Sequence, residues 1–127
     1  MKKKSENWLK IARYDLKAAQ LAYDGHLYLT CIEKCHDALE KLLKGLITEN
    51  DKQPQRIHDL LRLVGEALVD NLQKDVLDIL NDLNSIYMST RYPDEIDMIE
   101  KSLDDDETKR IFLETKRIFA WLEKKLP

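Results

Sequence analysis

Hydrophobic residues recur along most of this chain at alternating intervals of three and four positions, the spacing of one face of an α-helix. The clearest run lies in the second quarter of the chain and consists of Tyr28, Ile32, Cys35, Leu39, Leu42 and Leu46. Cys31, Ala38 and Leu43 widen this apolar face, so we expect this helix to be the central one. No stretch shows the period of two that a β-strand requires. The pattern predicts an all-α fold, an up-and-down antiparallel bundle of four long helices and one shorter helix.

Residue types with known end preferences predict where these helices begin and end. Ser5 suits the N-cap of the first helix, and Gly25 suits the position just past its end. Pro93 stops the fourth helix, and Asp104 with Glu107 has capping-box spacing at the start of the last one. The long irregular stretch at 91–103 is expected to be helical only in part. The predicted helices cover about residues 5–24, 27–49, 54–68 (the shorter one), 71–88 and 104–125.

The first and last helices carry further apolar residues, whose positions the pattern predicts less sharply. The first helix is expected to bury a continuous stripe that includes Trp8 and Ile11. The last helix has extra apolar surface, which belongs either to the core or to a contact between subunits. The residues that form this extra surface are Phe112, Phe119 and Trp121.

Length and charge narrow the function classes. The 127 residues suit one domain, residues 1–127, and only 3 Gly and 3 Pro favour helices over hairpins. A net charge of −3, from 24 acidic and 21 basic residues, argues against strong nucleic-acid binding. No apolar run has the length of a signal peptide or a membrane span, so we expect a cytoplasmic protein without membrane contact. Cys31 and Cys35 are expected to be reduced core thiols.

Metal and cofactor chemistry is weakly supported by the sequence. Glu33 and His36 have the spacing of one half of a di-iron carboxylate site, but no second Glu-x-x-His motif exists. Cys31, Cys35 and His36 fall short of four zinc ligands, and His36 is expected to be half-exposed. No glycine-rich loop is present to bind a dinucleotide or a triphosphate. We therefore predict no metal site and no cofactor.

Polar and aromatic residues near two predicted helix ends are candidates for a site. His58, expected in the first turn of the shorter helix, either packs locally or faces a cleft between helices. Arg91 and Tyr92 precede Pro93, and the Arg either pins this loop or offers its guanidinium to a carboxylate or phosphate. Lys41 and Lys44 are neighbours on the central helix and belong either to a solvated face or to an anion cleft. Arg56 or Arg91 would complete such a cleft.

Four segments, in this order, resemble the HEPN domain family, small helical proteins of prokaryotes and higher eukaryotes. The central helix carries a sequence similar to the family's Ala-x-Glu-Lys-x-x-Lys signature, and each of the other segments resembles one further family marker. The segments are Ala12 to Ala19, Ala38 to Lys44, His58 to Leu60 and Arg91 to Asp94. The resemblance covers most of the chain and implies a helical bundle that commonly dimerises.

The resemblance also implies a range of functions. Many members act with a small nucleotidyltransferase, some as toxin–antitoxin pairs, and a nucleotide-binding role has been proposed for the family. Other members are ribonucleases that use an Arg followed four to six residues later by a His. This sequence has no His after Arg91, and none of its three histidines has an Arg at that upstream spacing. His36 and Asp37 also stand where the family often has two glutamines.

We therefore expect a non-catalytic HEPN subunit that forms a homodimer and binds a nucleotide, a partner nucleotidyltransferase, or both. The alternatives are an atypical ribonuclease that uses Arg91 with His58, and a purely structural dimerisation module. The resemblance and the residue types together indicate one set of candidate nucleotide- or anion-binding residues, with no catalytic residue assigned. This set consists of Arg91, Tyr92, His58, Lys41 and Lys44.

Overall fold

A computed structural model describes all 127 residues, which form six α-helices and no β-strand. This confirms the predicted all-α fold. The four long helices are α1 (Lys3–Asp24), α2 (Tyr28–Glu49), α4 (Lys74–Ser89) and α6 (Asp105–Glu123), and the two short ones are α3 (Leu60–Glu66) and α5 (Ile96–Ser102). A 3-10 turn at Pro93–Glu95 leads into α5. The sequence predicted only one short helix, because α5 lies in the stretch that was expected to be partly irregular.

Helix α2 is the centre of the bundle, as its wide apolar face predicts. It packs against α1, α3, α4 and α6. Ile32, Cys35, Leu39 and Leu42 are fully buried along its seam, and Leu46 is nearly so. These residues belong to one continuous hydrophobic core of 30 buried residues. Polar residues on α2 are therefore held in place by packing on several sides.

The first helix differs from its prediction at its start and on its buried face. It begins at Lys3, and Ser5 is buried inside it instead of capping it. Leu9 is buried while Ile11 is 43% exposed, so the predicted stripe was wrong at Ile11. The face that packs on α2 runs through the small residues Ala12 and Ala19, which allow a close approach of the two helices.

Two predicted helix starts were also wrong, for reasons that lie in local geometry. The shorter helix begins at Leu60 because Asp59 is its N-cap, and the Asp59 carboxylate accepts hydrogen bonds from the backbone N–H groups of Leu61 and Arg62. His58 therefore precedes α3. Helix α4 begins at Lys74, three residues late, because Asn71 has a φ of 59°, which is incompatible with a right-handed helix.

Other predicted ends and faces are confirmed. Gly25 is the C-cap residue of α1, and the Asp104 carboxylate accepts a hydrogen bond from the Glu107 N–H at 2.8 Å at the start of α6. Phe112 and Phe119 are core residues, each 3% exposed, while Trp121 is half-buried. No helix combines the length and the apolar character needed to cross a membrane.

Two glycines offer a direct test of how closely α1 and α2 pack. A Cβ atom added at Gly45 would lie 3.2 Å from the Trp8 Cβ, whereas one added at Gly65 in α3 would meet nothing within 4 Å. We expect Gly65→Ala to raise the free energy of unfolding by about 0.5–1 kcal/mol through helix propensity. Gly45→Ala should lower it by about 1 kcal/mol, since overpacking outweighs the same propensity gain. Urea denaturation followed by circular dichroism measures both, and equal stabilisation by the two variants would contradict this packing.

Candidate functional site

A buried carboxylate on α2 gathers the charged residues of this region. Glu40 is 2% exposed, and its Oε1 accepts a hydrogen bond from His58 Nδ1 at 2.9 Å. Its Oε2 accepts one from Lys44 Nζ at 3.0 Å, and Lys41 Nζ lies 3.7 Å from the same oxygen. Helical periodicity places His36, Glu40 and Lys44 on one face of α2. Glu40 is therefore the point where the loop before α3 is joined to the central helix.

An aromatic ring on α4 forms the second centre of the region. The Tyr87 ring stacks on the His36 ring, with centroids 3.9 Å apart and planes 7° from parallel. The His58 ring lies 5.5 Å from Tyr87, and the Arg91 guanidinium lies 4.3 Å from the Tyr87 centroid. Arg91 also donates a hydrogen bond to the Tyr87 hydroxyl. Arg91 and His58, 33 positions apart in the sequence, thus meet on the same ring.

His36 is fully buried, so the expectation of a half-exposed histidine was wrong. Its ring is covered by Tyr87 and its Nε2 lies 2.8 Å from the backbone carbonyl oxygen of His58. Because a carbonyl oxygen only accepts, Nε2 carries the proton and donates. The other nitrogen, Nδ1, has no hydrogen-bond partner. It lies 3.7 Å from Asp37 Oδ1 and 3.9 Å from Glu40 Oε1.

The two carboxylates next to His36 are stabilised in their charged form. Burial raises the pKa of Glu40, but the hydrogen bonds from His58 and Lys44 and the charges of Lys44 and Lys41 outweigh it, so the pKa lies below its usual value. Burial raises the pKa of Asp37 as well, but the positive charges of Lys41 and Lys34 help to lower it, so this pKa also lies below its usual value. Both groups are therefore ionised at neutral pH.

A groove opens on the other side of Lys44, between α1, α2 and the loop before α3. Its volume is about 420 Å³, and its ten lining residues include Lys4, Trp8, Lys44 and Arg56. None of the ten is acidic. The Lys44 ammonium lies 5.9 Å from the Trp8 ring centroid, so Lys44 belongs both to the groove and to the Glu40 cluster. The groove combines positive charge with an aromatic face.

Neither thiol takes part in the contacts of Glu40 or Tyr87. Cys31 and Cys35 are buried and unbridged. The hydrogen bond with the Cys31 thiol and burial together raise the pKa of Cys35 well above its usual value. A thiol in that state carries almost no thiolate, which is the form that a nucleophile needs.

Comparison with known proteins identifies the family. The family model described as the HEPN domain matches residues 5–125. The chain belongs to the HEPN family. The crystal structure of TT1696 from Thermus thermophilus is similar, with a TM-score of 0.83 and 24% identity over 98% of this chain and 100% of that one. The structure of ST0689, an archaeal HEPN homologue, has a TM-score of 0.75 and 21% identity over 99% and 100% of the two chains. At these identities the likeness shows the fold alone. No curated protein matches this sequence.

The four segments that resembled the family come together in this HEPN domain. The central signature contributes Glu40, Lys41 and Lys44, and the two later segments contribute His58 and Arg91. The first segment is linked through an ion pair. Asp15 Oδ1 lies 3.9 Å from Lys34 Nζ, which lies 3.6 Å from Asp37 Oδ2. Segments far apart in the chain thus contribute to one cluster of polar residues in this HEPN domain.

Four of the five candidate residues lie in this region, and Tyr92 does not join them. Tyr92 is 57% exposed and its side chain makes no hydrogen bond. Glu40 and Tyr87 were not among the residues predicted for the site. Two spacings in the sequence could have indicated these two residues, His36–Glu40–Lys44 and Tyr87–Arg91. In each, successive residues are four positions apart and so share a helix face.

Proposed function

We propose that this HEPN domain, acting as a single unit of 127 residues, is a non-catalytic subunit that binds a nucleotide in the groove beside Lys44. It would form a homodimer and act with a nucleotidyltransferase partner of the toxin–antitoxin kind. The observation that carries the nucleotide proposal is the groove itself, which Lys4, Lys44, Arg56 and Trp8 line without any acidic residue.

The groove has the chemistry that a nucleotide requires. Phosphate oxygens are bound by Lys and Arg side chains, and the Arg56 guanidinium can bind two of them at once. The indole face of Trp8 offers a stacking surface for a base, and the amides of Gln53 and Gln55 supply hydrogen bonds for its edge. A volume of about 420 Å³ lies within the usual range of small-molecule sites.

The dimer and the partner are supported by family membership. The missing Arg–His pair supports a non-catalytic role, because the family's ribonucleases use that pair at the dimer interface. Sedimentation equilibrium of the purified protein gives its oligomeric state, and co-expression with small nucleotidyltransferases followed by affinity purification tests the partner. A monomer at micromolar concentration, or the absence of any copurified transferase, would contradict the corresponding part of the proposal.

A thermal-shift panel with ATP, GTP and their di- and monophosphates tests the groove. A ligand that binds only the folded state stabilises it by RT ln(1 + [L]/Kd), about 2.7 kcal/mol at a hundredfold excess over Kd. We expect at least one nucleotide to stabilise the wild type and the Arg110→Ala control, in which an exposed Arg of α6 is lost. Arg56→Ala and Trp8→Ala should each lose most of the shift. A shift that survives Arg56→Ala but disappears in Arg91→Ala would place the nucleotide on the Tyr87 side instead.

A specific contact favours the ribonuclease alternative. His58 donates from Nδ1 to Glu40, which directs its Nε2 away from the carboxylate, and the Arg91 guanidinium contacts the same Tyr87 ring that His58 approaches. An oriented imidazole and a guanidinium that both lie near one ring suit general acid–base chemistry at a phosphodiester. Incubation of the purified protein with labelled RNA tests this alternative. Cleavage that is lost in both His58→Ala and Arg91→Ala would support it and contradict the non-catalytic role.

A further inference from the structure

The buried edge of His36 presents an arrangement that neither hydrogen bonding nor the nucleotide groove explains. Its Nε2 donates to the His58 carbonyl oxygen, so the neutral ring carries a lone pair on Nδ1. That lone pair has no donor and faces Asp37 Oδ1 at 3.7 Å and Glu40 Oε1 at 3.9 Å. Three electron-rich atoms around one point repel one another unless a proton or a metal ion lies between them.

The surrounding groups orient both carboxylates toward this point. Lys34 lies 3.6 Å from Asp37 Oδ2, and Lys44 hydrogen-bonds Glu40 Oε2. In each carboxylate a lysine contacts one oxygen and the other oxygen faces His36 Nδ1. In Glu40 that second oxygen, Oε1, also accepts the hydrogen bond from His58 Nδ1 at 2.9 Å and keeps a further lone pair. Stacking on Tyr87 holds the plane of the imidazole. A metal-binding histidine usually donates its other ring N–H to a backbone carbonyl or a carboxylate, as His36 Nε2 does here.

We propose that His36 Nδ1, Asp37 Oδ1 and Glu40 Oε1 bind a single divalent transition-metal ion. The three atoms lie within 4.8 Å of one another. Ligand atoms about 2.1 Å from a tetrahedral ion lie about 3.4 Å apart. The distances from His36 Nδ1 to the two carboxylate oxygens, 3.7 and 3.9 Å, exceed this by a few tenths of an ångström. The two carboxylate oxygens lie within 4.8 Å of each other, so they must approach by up to about 1.4 Å to close the site. One imidazole and two carboxylates suit Zn²⁺, Mn²⁺ or Fe²⁺, and Zn²⁺ binds most tightly of these.

The environment also sets limits on this site. Three protein ligands leave at least one coordination position for water or another ligand. Asp37 is the most exposed of the three side chains, 23% against 0% for His36 and 2% for Glu40, so the ion enters from the Asp37 side. Lys34, Lys41 and Lys44 reduce the negative charge available, so the affinity is expected to be lower than in a closed four-ligand zinc site. This proposal is independent of the nucleotide groove.

Metal titration of the full chain, stripped with a chelator and free of nucleotide, tests the site. We expect one equivalent of Zn²⁺ or Co²⁺ to bind, while Mg²⁺, which rarely accepts imidazole, does not compete. Asp37→Asn and Glu40→Gln should each weaken Zn²⁺ binding by at least about 100-fold. Loss of a residue that only hydrogen-bonds to a metal ligand weakens binding by about 10–100-fold, and loss of a ligand itself should cost at least as much. Glu33→Gln is the control. It removes a half-buried carboxylate of the same helix, the Glu of the Glu-x-x-His motif, and this variant should bind Zn²⁺ like the wild type.

Several results would overturn the proposal. The proposal fails if the wild type binds neither Zn²⁺ nor Co²⁺, or if Asp37→Asn keeps the wild-type affinity. It also fails if Glu33→Gln loses as much affinity as Asp37→Asn does. Circular dichroism checks that each variant is folded. Should a variant unfold, the nitrogen chemical shift of His36 Nδ1 in the wild type decides the question. A metal-dependent change there supports coordination, and an unchanged shift contradicts it. The nucleotide result can succeed or fail without affecting this outcome.

Discussion

Glu40→Ala is expected to lower the free energy of unfolding by about 3 kcal/mol, the largest effect of any single charged-residue substitution in this region. Removing one partner of a buried ion pair usually costs about 3–5 kcal/mol because the remaining charge stays buried without compensation. Lys44, whose side chain is 8% exposed, would be left in that state, and His58 would lose its acceptor. We expect the low end of the range, since the flexible Lys44 side chain can turn toward the adjacent groove.

Urea denaturation in the presence of a chelator measures this effect without any contribution from bound metal. Glu33→Ala is the matched control, because Glu33 lies on the same helix without a buried partner, and its change should stay within about 0.5 kcal/mol. Adding Lys44→Met to Glu40→Ala should recover about 1–2 kcal/mol, because an apolar side chain can replace the stranded charge. Equal stability of the Glu40→Ala and Glu33→Ala variants would show that Glu40 is not a buried partner of Lys44 and His58.

Leu39→Ala is expected to lower the free energy of unfolding by about 3 kcal/mol as well, through a different mechanism. Leu39 is fully buried at the centre of α2. Truncation to alanine removes buried apolar surface and leaves a cavity, which the four helices packed around α2 cannot fill by moving inward. For a chain of this size, the midpoint of thermal unfolding should fall by about 12 °C. Leu21→Ala is the control, since Leu21 is 63% exposed on α1.

Thermal unfolding followed by circular dichroism gives both midpoints under the same conditions. The control should shift by no more than about 2 °C. A small effect of Leu39→Ala would mean that α2 is not the central element of the core. In that case the packing of α1, α3, α4 and α6 around α2 would need to be revised.

The sequence predicted part of the site but not the residues that connect it. Arg91, His58, Lys41 and Lys44 were predicted as candidates from residue type and from the resemblance to the HEPN family, and the fold brings all four into one region. Tyr92 was chosen by its place next to Arg91 and lies outside that region. Glu40 and Tyr87 connect the others, and sequence spacing alone did not identify them as site residues.

The errors have physical causes that lie in contacts between different helices. Ile11 was assigned to the buried face of α1, but the face of α1 that is buried includes Leu9 and leaves Ile11 exposed. The start of α3 depends on Asp59, whose carboxylate also accepts a hydrogen bond from Asn84 on α4, a contact between residues 25 positions apart. The half-exposure expected for His36 ignored Tyr87, whose ring covers it from another helix.

The sequence by itself determined the helical class, the central place of α2, the four long helices and most of their ends. These features follow from periodicity and from capping residues, which act over a few positions along one helix. Only the tertiary structure decided which polar side chains meet. The stacking of His36 on Tyr87 and the pairing of Glu40 with His58 join residues from different elements. Such contacts depend on how the packed helices are rotated and spaced, and those quantities are set by the whole core.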